Sequence, residues 1–192
     1  NLQRQILHWN RDLGRLKAES ARETLEGINP DIQVTPIPER LEGEALEQAV
    51  AEADIVLDCS DNFATRFAIN DACVRARRPL VSGAAIRMEG QISVFDARRA
   101  NSPCYRCLYR DEGELEETCS ENGVLAPIVG IVGSIQALEA IKVLLNLGET
   151  LCGRLLLFDA LYSEWRSLIL RKDPACPVCG AHTALAAGAH DN

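Results

Sequence analysis

The residues that indicate the fold most clearly are DIVLDCSDN, 54–62. Its centre is a short apolar run between polar ends, which is typical of a buried parallel strand. The next residues, 62–77, predict a helix, and residues 79–82 predict another strand. This alternation of strand and helix indicates a parallel sheet covered by helices.

Before that stretch the alternation of helix and strand continues, and after it the pattern changes, because residues 90–96 alternate as an antiparallel strand does. Further helices are expected at residues 11–28, 44–53 and 124–147. Further strands are expected at residues 32–37, 90–96, 155–159 and 165–170. The expected fold is α/β: a Rossmann-like, mostly parallel sheet with helices on both faces and an antiparallel extension.

Composition limits the class of protein. The 192 residues suit one domain that is large enough to bury a core, and the formal net charge of −8 argues against nucleic acid as a general partner. Residues 1–12 lack the apolar region of a signal peptide, and the longest uncharged stretch, 122–138, is short for a membrane span. We expect a cytoplasmic protein that does not bind a membrane.

Two cysteine pairs, Cys104-Tyr-Arg-Cys107 and Cys176-Pro-Val-Cys179, carry the strongest chemical signal. A CxxC turn presents two thiolates on one side, which is half of a tetrahedral Zn²⁺ site. Four sulfur ligands leave no position for water, so the predicted zinc would be a structural staple. The alternative is two unrelated redox or free-thiol pairs, which is disfavoured because neither pair follows a strand and opens a helix.

Another cysteine, Cys119, lies in a polar loop just before the predicted long helix. A thiol near a helix N-terminus can have a lowered pKa and act as a nucleophile. The nearby acids Glu116, Glu117 and Glu121 would oppose that effect. The residues therefore leave open whether Cys119 is functional.

Polar residues after the first buried strand and near the N-terminus are candidates for phosphate and metal binding. Asp61 could hold Mg²⁺ at the strand end, or it and Asn62 could do no more than cap the following helix; their spacing leaves both possibilities open. Arg4 and Lys17, taken singly, are typical solvated surface charges. Together with an acid at a strand end they would form a phosphate clamp.

Several of these motifs, in this order, resemble the ThiF/MoeB group, relatives of the ubiquitin-activating enzymes. The resemblance extends from residue 1 to about residue 180. It rests on NLQRQ at 1–5, KA at 17–18, DCSDN at 58–62 with Arg66, RMEGQ at 87–91, both CxxC pairs, GVLAP at 123–127 and GSIQALEAIK at 133–142.

The resemblance implies an ATP site and a zinc site. The implied ATP-binding residues are Asn1, Leu2, Gln3, Arg4, Lys17, Asp61 and Asn62. Among them Lys17 would bind phosphate and Asp61 would hold Mg²⁺, while Arg4 and Asp61 would serve catalysis. The implied zinc ligands are Cys104, Cys107, Cys176 and Cys179. Cys119 matches a cysteine that some members use to carry an acyl or sulfur intermediate.

The implied reaction is ATP-dependent adenylylation of the C-terminal glycine of a ubiquitin-like sulfur-carrier protein, in molybdopterin or thiamine biosynthesis, by a homodimeric enzyme. Family members carry a strand and a Gly-rich phosphate loop before the segment that matches NLQRQ, and these 192 residues contain neither. We therefore expect residues 1–180 to form an N-terminally incomplete adenylyltransferase domain, whose activity by itself is left open, followed by a flexible tail at 181–192.

Two alternatives belong to other functional classes. One is a non-catalytic, zinc-stabilised binding or dimerisation module for such a carrier protein. The other is a nicotinamide-dependent oxidoreductase, against which the absence of a G-x-G-x-x-G fingerprint and the four paired cysteines both argue.

Overall fold

A computed structural model describes residues 1–109 and 123–180. The chain divides into two compact units, Asn1–Leu41 and Glu42–Asn192. The expected tail at 181–192 lies outside the described residues, as does the greater part of the polar segment before the long helix.

The first unit contains a short 3₁₀ turn, Asn10–Asp12, and one α-helix, α1, Lys17–Ile28. The prediction that this helix starts at residue 11 is therefore wrong. Gly14 has a φ of +85°, a left-handed conformation that no α-helix contains, so the chain turns before α1 begins.

The strand predicted at residues 32–37 is not found in the first unit, where this segment is irregular and mostly exposed. Its apolar and polar residues alternate, but Pro36 and Pro38 lack the N–H that a strand donates to its neighbour. Ile32 and Ile37 are both exposed, so the alternation does not mark a buried face. The prediction is wrong for this reason.

The second unit contains the remaining elements. Its helices are α2, Gly43–Glu52; α3, Phe63–Ala76; α4, Tyr105–Leu108; and α5, Ala126–Leu145. Its strands are β1, Val56–Asp58; β2, Pro79–Ile86; β3, Glu89–Asp96; β4, Arg154–Asp159; and β5, Glu164–Ile169. Each helix and strand predicted in this unit is present, with ends that differ by a few residues.

The strands form one sheet in the order β1-β2-β3-β4-β5. β1 and β2 are parallel, and the other neighbouring pairs are antiparallel. The α/β class and the antiparallel extension are confirmed, but the expectation of a mostly parallel sheet is wrong for the described strands. The reason is that the strand predicted at residues 32–37 does not form, which leaves β1 and β2 as the one parallel pair of the described strands. A tight turn at Arg87, whose φ is 52°, returns the chain from β2 to the antiparallel β3.

Helices cover both faces of this sheet, as the sequence predicts. Neighbouring residues of a strand point to opposite faces. On β2, Leu80 packs in one buried cluster with Val50 of α2 and Phe67 of α3. The next residue, Val81, packs in a second cluster with Val132 of α5. The sheet is therefore the middle layer of this unit.

The α5 helix is long and apolar enough, by length and composition, to cross a membrane. Its buried residues nevertheless include the polar Gln136 and Glu139. Glu139 Oε2 accepts a hydrogen bond from the backbone N–H of Leu151 at 2.7 Å, and Oε1 pairs with Lys142 Nζ. Buried polar side chains with protein partners are typical of a core helix.

Candidate functional site

The polar loop after β1 is held in shape by its own side chains. Asp58 is 1% exposed, and its Oδ1 accepts hydrogen bonds from the backbone N–H (2.9 Å) and the hydroxyl (2.7 Å) of Ser60. Asn62 Oδ1 accepts the N–H of Thr65 at 2.9 Å and so caps α3. Asp61 is exposed and accepts a long contact, 3.4 Å, from Asn62 Nδ2. The helix cap is therefore Asn62, and the Asp61 carboxylate is available to a ligand.

A cavity of about 500 Å³ lies beside this loop, at the carboxyl end of β2. Asp61 and Asn62 lie on its wall with Arg66, Gln91 and Tyr109. Its volume is in the range of small-molecule sites, and the carboxyl ends of parallel strands are where α/β sheets bind ligands. This cavity is the candidate site of the second unit.

One wall of the cavity carries a hydrogen-bonded pair. Tyr109 Oη donates to Gln91 Oε1 at 2.7 Å. Burial raises the pKa of Tyr109, and this hydrogen bond offsets that effect in part, so the phenol is neutral at pH 7. The Tyr109 ring packs edge-on against Phe63, with ring centroids 5.5 Å apart. The pair therefore presents a fixed polar group in an aromatic wall.

Arg66 holds the loop from the side of α3. It is 6% exposed, and its Nη2 donates to the carbonyl oxygen of Ser60 at 2.8 Å. Its guanidinium lies 5.7 Å from the centroid of the Phe63 ring. A charge-assisted hydrogen bond to a backbone carbonyl fixes the path of the chain just before Asp61.

Gln136 of α5 holds the same loop from the opposite face of the sheet. It is 3% exposed, and its Nε2 donates to the carbonyl oxygens of Asp58 (2.9 Å) and Val81 (3.3 Å). Its Oε1 accepts a long hydrogen bond, 3.8 Å, from Cys59 Sγ. A Cβ atom at Gly83 would overlap the Gln136 side chain, so this glycine provides the space for the amide.

The four paired cysteines come together, as predicted. Cys104 Sγ lies 4.0 Å from Cys107 Sγ and 3.6 Å from Cys176 Sγ, and Cys107 Sγ lies 3.4 Å from Cys179 Sγ. All four sulfurs are within 4.8 Å of one another. Sulfurs bound tetrahedrally to zinc at about 2.3 Å are about 3.8 Å apart, so the donor set and its spacing fit Zn²⁺.

The electrostatics of this cluster favour a cation. Without one, hydrogen bonds from Cys104, and then from Cys179, lower the pKa of Cys107, while the Cys107 contact is the largest cause that raises the pKa of Cys104. The backbone N–H groups of Cys104 and Asp173 also donate to Cys107 Sγ, at 3.5 and 3.4 Å. A bound cation would allow all four thiols to ionise.

The first cysteine turn is fastened to α3. The N–H of Tyr105 donates to Asn70 Oδ1 at 2.7 Å. Arg106 pairs with Asp71 through both Nε and Nη2, each at 2.9 Å from a carboxylate oxygen. Because α3 begins at the candidate cavity, the cysteine cluster and the cavity share this helix as a support.

The other predicted ATP-binding residues lie in the first unit: Asn1, Leu2, Gln3, Arg4 and Lys17. Arg4 Nη2 donates to Asn1 Oδ1 at 2.6 Å, so this segment folds on itself. Lys17 is exposed at the first position of α1. Cys119, the predicted candidate nucleophile, lies outside the described residues.

Three residues of the site have no role in the sequence-based prediction: Arg66, Tyr109 and Gln136. Arg66 and Gln136 stand inside motifs that carry the family resemblance, but spacing alone does not show what they contact. A glutamine in a mostly apolar helix is the one usable signal, because a buried amide needs partners. Tyr109 has no comparable signal beyond its place two residues after Cys107.

Sequence comparison finds relatives that match most of this chain. A molybdopterin-synthase adenylyltransferase of Salmonella typhimurium is 48% identical over 180 residues, which cover 94% of this chain and 72% of that protein. The sulfur carrier protein ThiS adenylyltransferase of Escherichia coli is 50% identical over 184 residues, 96% of this chain and 72% of that protein. The SAMP-activating enzyme E1 of Haloferax volcanii is 44% identical over 94% of this chain and 66% of its own length.

Solved structures share the fold at lower identity. MccB of E. coli with ATP superimposes with a TM-score of 0.79 at 23% identity, over 94% of this chain and 55% of that chain. This chain therefore spans about half the length of that solved structure, and the likeness concerns the fold alone. The sequence profile of the ThiF family matches residues 1–178. This chain belongs to the ThiF family.

Proposed function

We propose that this chain acts in the ATP-dependent adenylylation of the C-terminal glycine of a small ubiquitin-like sulfur-carrier protein, in molybdopterin or thiamine biosynthesis. The observation that carries the proposal is the exposed Asp61 carboxylate on the wall of a cavity at the carboxyl end of β2. The names and high identity of the two bacterial adenylyltransferases support it.

In the proposed reaction the carrier's terminal carboxylate attacks the α-phosphorus of ATP. The new bond is an acyl–phosphate linkage, the bond to the β-phosphate oxygen breaks, and pyrophosphate leaves with both electrons of that bond. The substrate supplies the nucleophile, so the protein must orient the reactants and offset the negative charge.

The polar residues at the loop after β1 and near the N-terminus would bind ATP and its metal. Asp61 would hold Mg²⁺, which supplies positive charge for the phosphates, and Asn62 would stay beside it as the cap of α3. Arg4 and Lys17 would bind phosphate groups. The remaining ATP contacts would come from Asn1, Leu2 and Gln3.

The second-unit cavity is assigned to the carrier's C-terminal tail. An extended tail of small residues needs a narrow channel with backbone partners, and the end of the β2-β3 hairpin forms one side of this cavity. Tyr109 and Gln91 there offer a hydroxyl and an amide to a peptide backbone. Glu89 and Gly90 lie on the same side.

We assign Zn²⁺ to the four-cysteine cluster. Bound there, the ion supplies structural stability, because four sulfur ligands leave no position for water or substrate. The cluster would stabilise the cavity through α3, to which Arg106 and Asp71 attach its first turn. Cys119 is proposed to carry a covalent acyl or sulfur intermediate.

We also propose a homodimer in the cytoplasm. Gly130 and Gly133 of α5 have open space where a side chain would be, so a second helix could approach closely. Leu138, Ile141 and Leu144 of α5 are large and exposed. The free thiols among the described cysteines suit a reducing compartment.

The test is carrier-dependent exchange of labelled pyrophosphate into ATP, measured for the wild type and for Asp61→Ala. We expect the exchange rate of Asp61→Ala to fall about 10²-fold or more, because the metal would lose its protein ligand. Asp54→Ala is the matched control, since Asp54 is an exposed carboxylate just before the other end of β1.

Normal exchange in Asp61→Ala would contradict the assignment of Asp61. Carrier binding by the wild type with no ATP binding and no exchange would instead favour the non-catalytic binding module. Titration calorimetry with ATP and, separately, with the carrier distinguishes these results.

A further inference from the structure

A second depression of about 620 Å³ lies at the other end of β2 from the candidate cavity. It is strongly basic although the chain as a whole carries a formal charge of −8. None of its described lining residues is acidic. Its cationic side chains are Arg75, Arg77, Arg78, Arg98, Arg99 and Lys172. We call this feature the basic depression.

Part of this charge has a structural explanation. Arg75 lies in the last turn of α3 and pairs with Glu47 at 2.8 Å, and cations stabilise the negative end of a helix. Arg98 and Arg99 share one carboxylate, that of Asp96, at 2.8 and 3.5 Å. In these contacts two carboxylates are paired with three guanidinium groups.

The other three cations bind neutral oxygens among the described residues. Arg77 donates to the Arg98 carbonyl at 3.4 Å, Arg78 to the Ala51 carbonyl at 2.7 Å, and Lys172 to the Ala100 carbonyl at 2.9 Å. A carbonyl oxygen carries no formal charge, so their positive charge is not balanced by these contacts. The basic depression therefore concentrates cations that a ligand could neutralise.

The shape of the basic depression suits a small ligand. Its volume is in the range of small-molecule sites, and Val74 and Val178 add apolar surface to its lining. Cys104 and Cys179 also line it, so zinc-bound thiolates would form one negative border. The guanidinium groups at its rim match the oxygens of phosphate in a two-pronged arrangement.

We propose that the basic depression is a binding site for a small ligand that bears a diphosphate group. An anion of several charges matches the excess of cations better than a single carboxylate does, and adjacent phosphates can reach arginines on different segments. The site lies at the opposite end of β2 from Asp61, and the inference does not rest on the proposed adenylylation.

Inorganic pyrophosphate is the probe, titrated by calorimetry into the full chain in buffer without Mg²⁺. We expect one site, with binding that weakens as ionic strength rises. The double variant Arg77→Gln/Lys172→Gln should weaken binding about tenfold or more, because two charge-assisted contacts are lost. The charge-retaining Arg77→Lys/Lys172→Arg should bind pyrophosphate more tightly than the glutamine double variant does, because both charges remain.

Arg171→Gln is the matched control, since Arg171 neighbours Lys172 in sequence and does not line the basic depression. It should change the pyrophosphate affinity less than about twofold. Arg4→Gln/Lys17→Gln, which removes the proposed phosphate contacts of the nucleotide site, should also leave that affinity unchanged, which separates this site from the proposed nucleotide site. ADP that binds more tightly than pyrophosphate would identify a nucleotide ligand, and equal affinities would identify the diphosphate alone.

Three results would overturn the proposal. They are a wild type that does not bind pyrophosphate, a double variant that binds it as the wild type does, and an equal loss of binding in Arg171→Gln. Binding that disappears in Arg4→Gln/Lys17→Gln would place the anion at the nucleotide site and would also overturn it.

Discussion

Gln136 Nε2 lies 2.9 Å from the carbonyl oxygen of Asp58, so the longest described helix holds the residue that ends β1. The same amide donates to Val81 on the neighbouring parallel strand. One side chain thus ties the end of β1, next to the loop that carries Asp61, to the first half of β2. The shape of the loop depends on Gln136 of α5, although 74 residues or more separate this side chain from the loop in sequence.

Replacement of Gln136 by leucine should destabilise the protein. The carbonyl oxygens of Asp58 and Val81 would lose their amide partner in a buried setting, at a cost of about 1–3 kcal/mol in the free energy of unfolding. Urea denaturation measures this loss. Gln48→Leu, at an exposed position of α2, is the control and should change stability by less than about 0.5 kcal/mol.

Replacement of Gly83 by alanine should also destabilise, because its Cβ would overlap the Gln136 side chain. We expect a loss of about 1–3 kcal/mol by thermal or urea unfolding. Gly130→Ala is the matched control: it is helical, meets nothing within 4 Å, and should be neutral or stabilising by up to about 1 kcal/mol. Equal effects of the two substitutions would show that Gly83 is not packed against Gln136.

Loss of the bound metal should lower the unfolding temperature. Metal analysis of the purified chain should give one zinc per chain, and Cys107→Ser should abolish it because three sulfurs remain of a four-ligand site. Cys59→Ser should keep the zinc, since Cys59 lies outside the cluster. A wild type well below one zinc per chain, or a Cys107→Ser variant that retains it, would contradict the assignment.

Alkaline pH should destabilise the fold through Cys73. Burial, and then the charge of Asp58, raises the pKa of Cys73 from 9.0 to about 12. The unfolded chain loses this proton first, so the stabilisation is complete below pH 9 and is lost as the pH rises from 9 to about 12. One such proton is worth at most about 1.4 kcal/mol per pH unit.

The check is urea denaturation across that pH window for the wild type and for Cys73→Ala. The variant should show a shallower fall of the free energy of unfolding with pH. Tyr105, whose pKa burial raises to about 12, is present in both proteins, so the difference isolates Cys73. Parallel curves would mean that the Cys73 thiol does not stay protonated in the folded state.

Tyr109→Phe should raise the KM for the carrier more than the KM for ATP. The substitution keeps the aromatic packing but removes the hydroxyl that donates to Gln91, so an extended tail in the cavity loses a fixed polar contact. We expect the KM for the carrier to rise about three- to tenfold with the KM for ATP unchanged. Tyr162→Phe, at an exposed tyrosine, should behave as the wild type does.

Much of the second unit follows from local sequence. The apolar run that forms β1, the Asn62 cap and the Pro127 start of α5 are signals that neighbours in sequence carry by themselves. The conformation of the turn at Arg87 does not follow, although the alternation at residues 90–96 predicts the antiparallel strand after it. A positive φ at an arginine has no signature in its neighbours.

The cysteine cluster is predictable because its ligand spacing is a chemical requirement, and the structure brings the four sulfurs together. The support of the cavity is not predictable in the same way. Gln136 meets Asp58, and Arg106 meets Asp71, through contacts between distant segments that no periodicity encodes. In the first unit a local pattern gives a wrong prediction instead. Residues 32–37 alternate as a strand does, but Pro36 and Pro38 prevent that strand.

Mass spectrometry of a sulfur-carrier protein after incubation with this chain, ATP and Mg²⁺ measures the proposed adenylylation directly. We expect a carrier whose mass increases by one adenylyl group, at its C-terminal glycine, with the wild type and with Asp54→Ala. We expect an unmodified carrier with Asp61→Ala. An unmodified carrier with every protein, although the wild type binds both ATP and carrier, would contradict the proposed function.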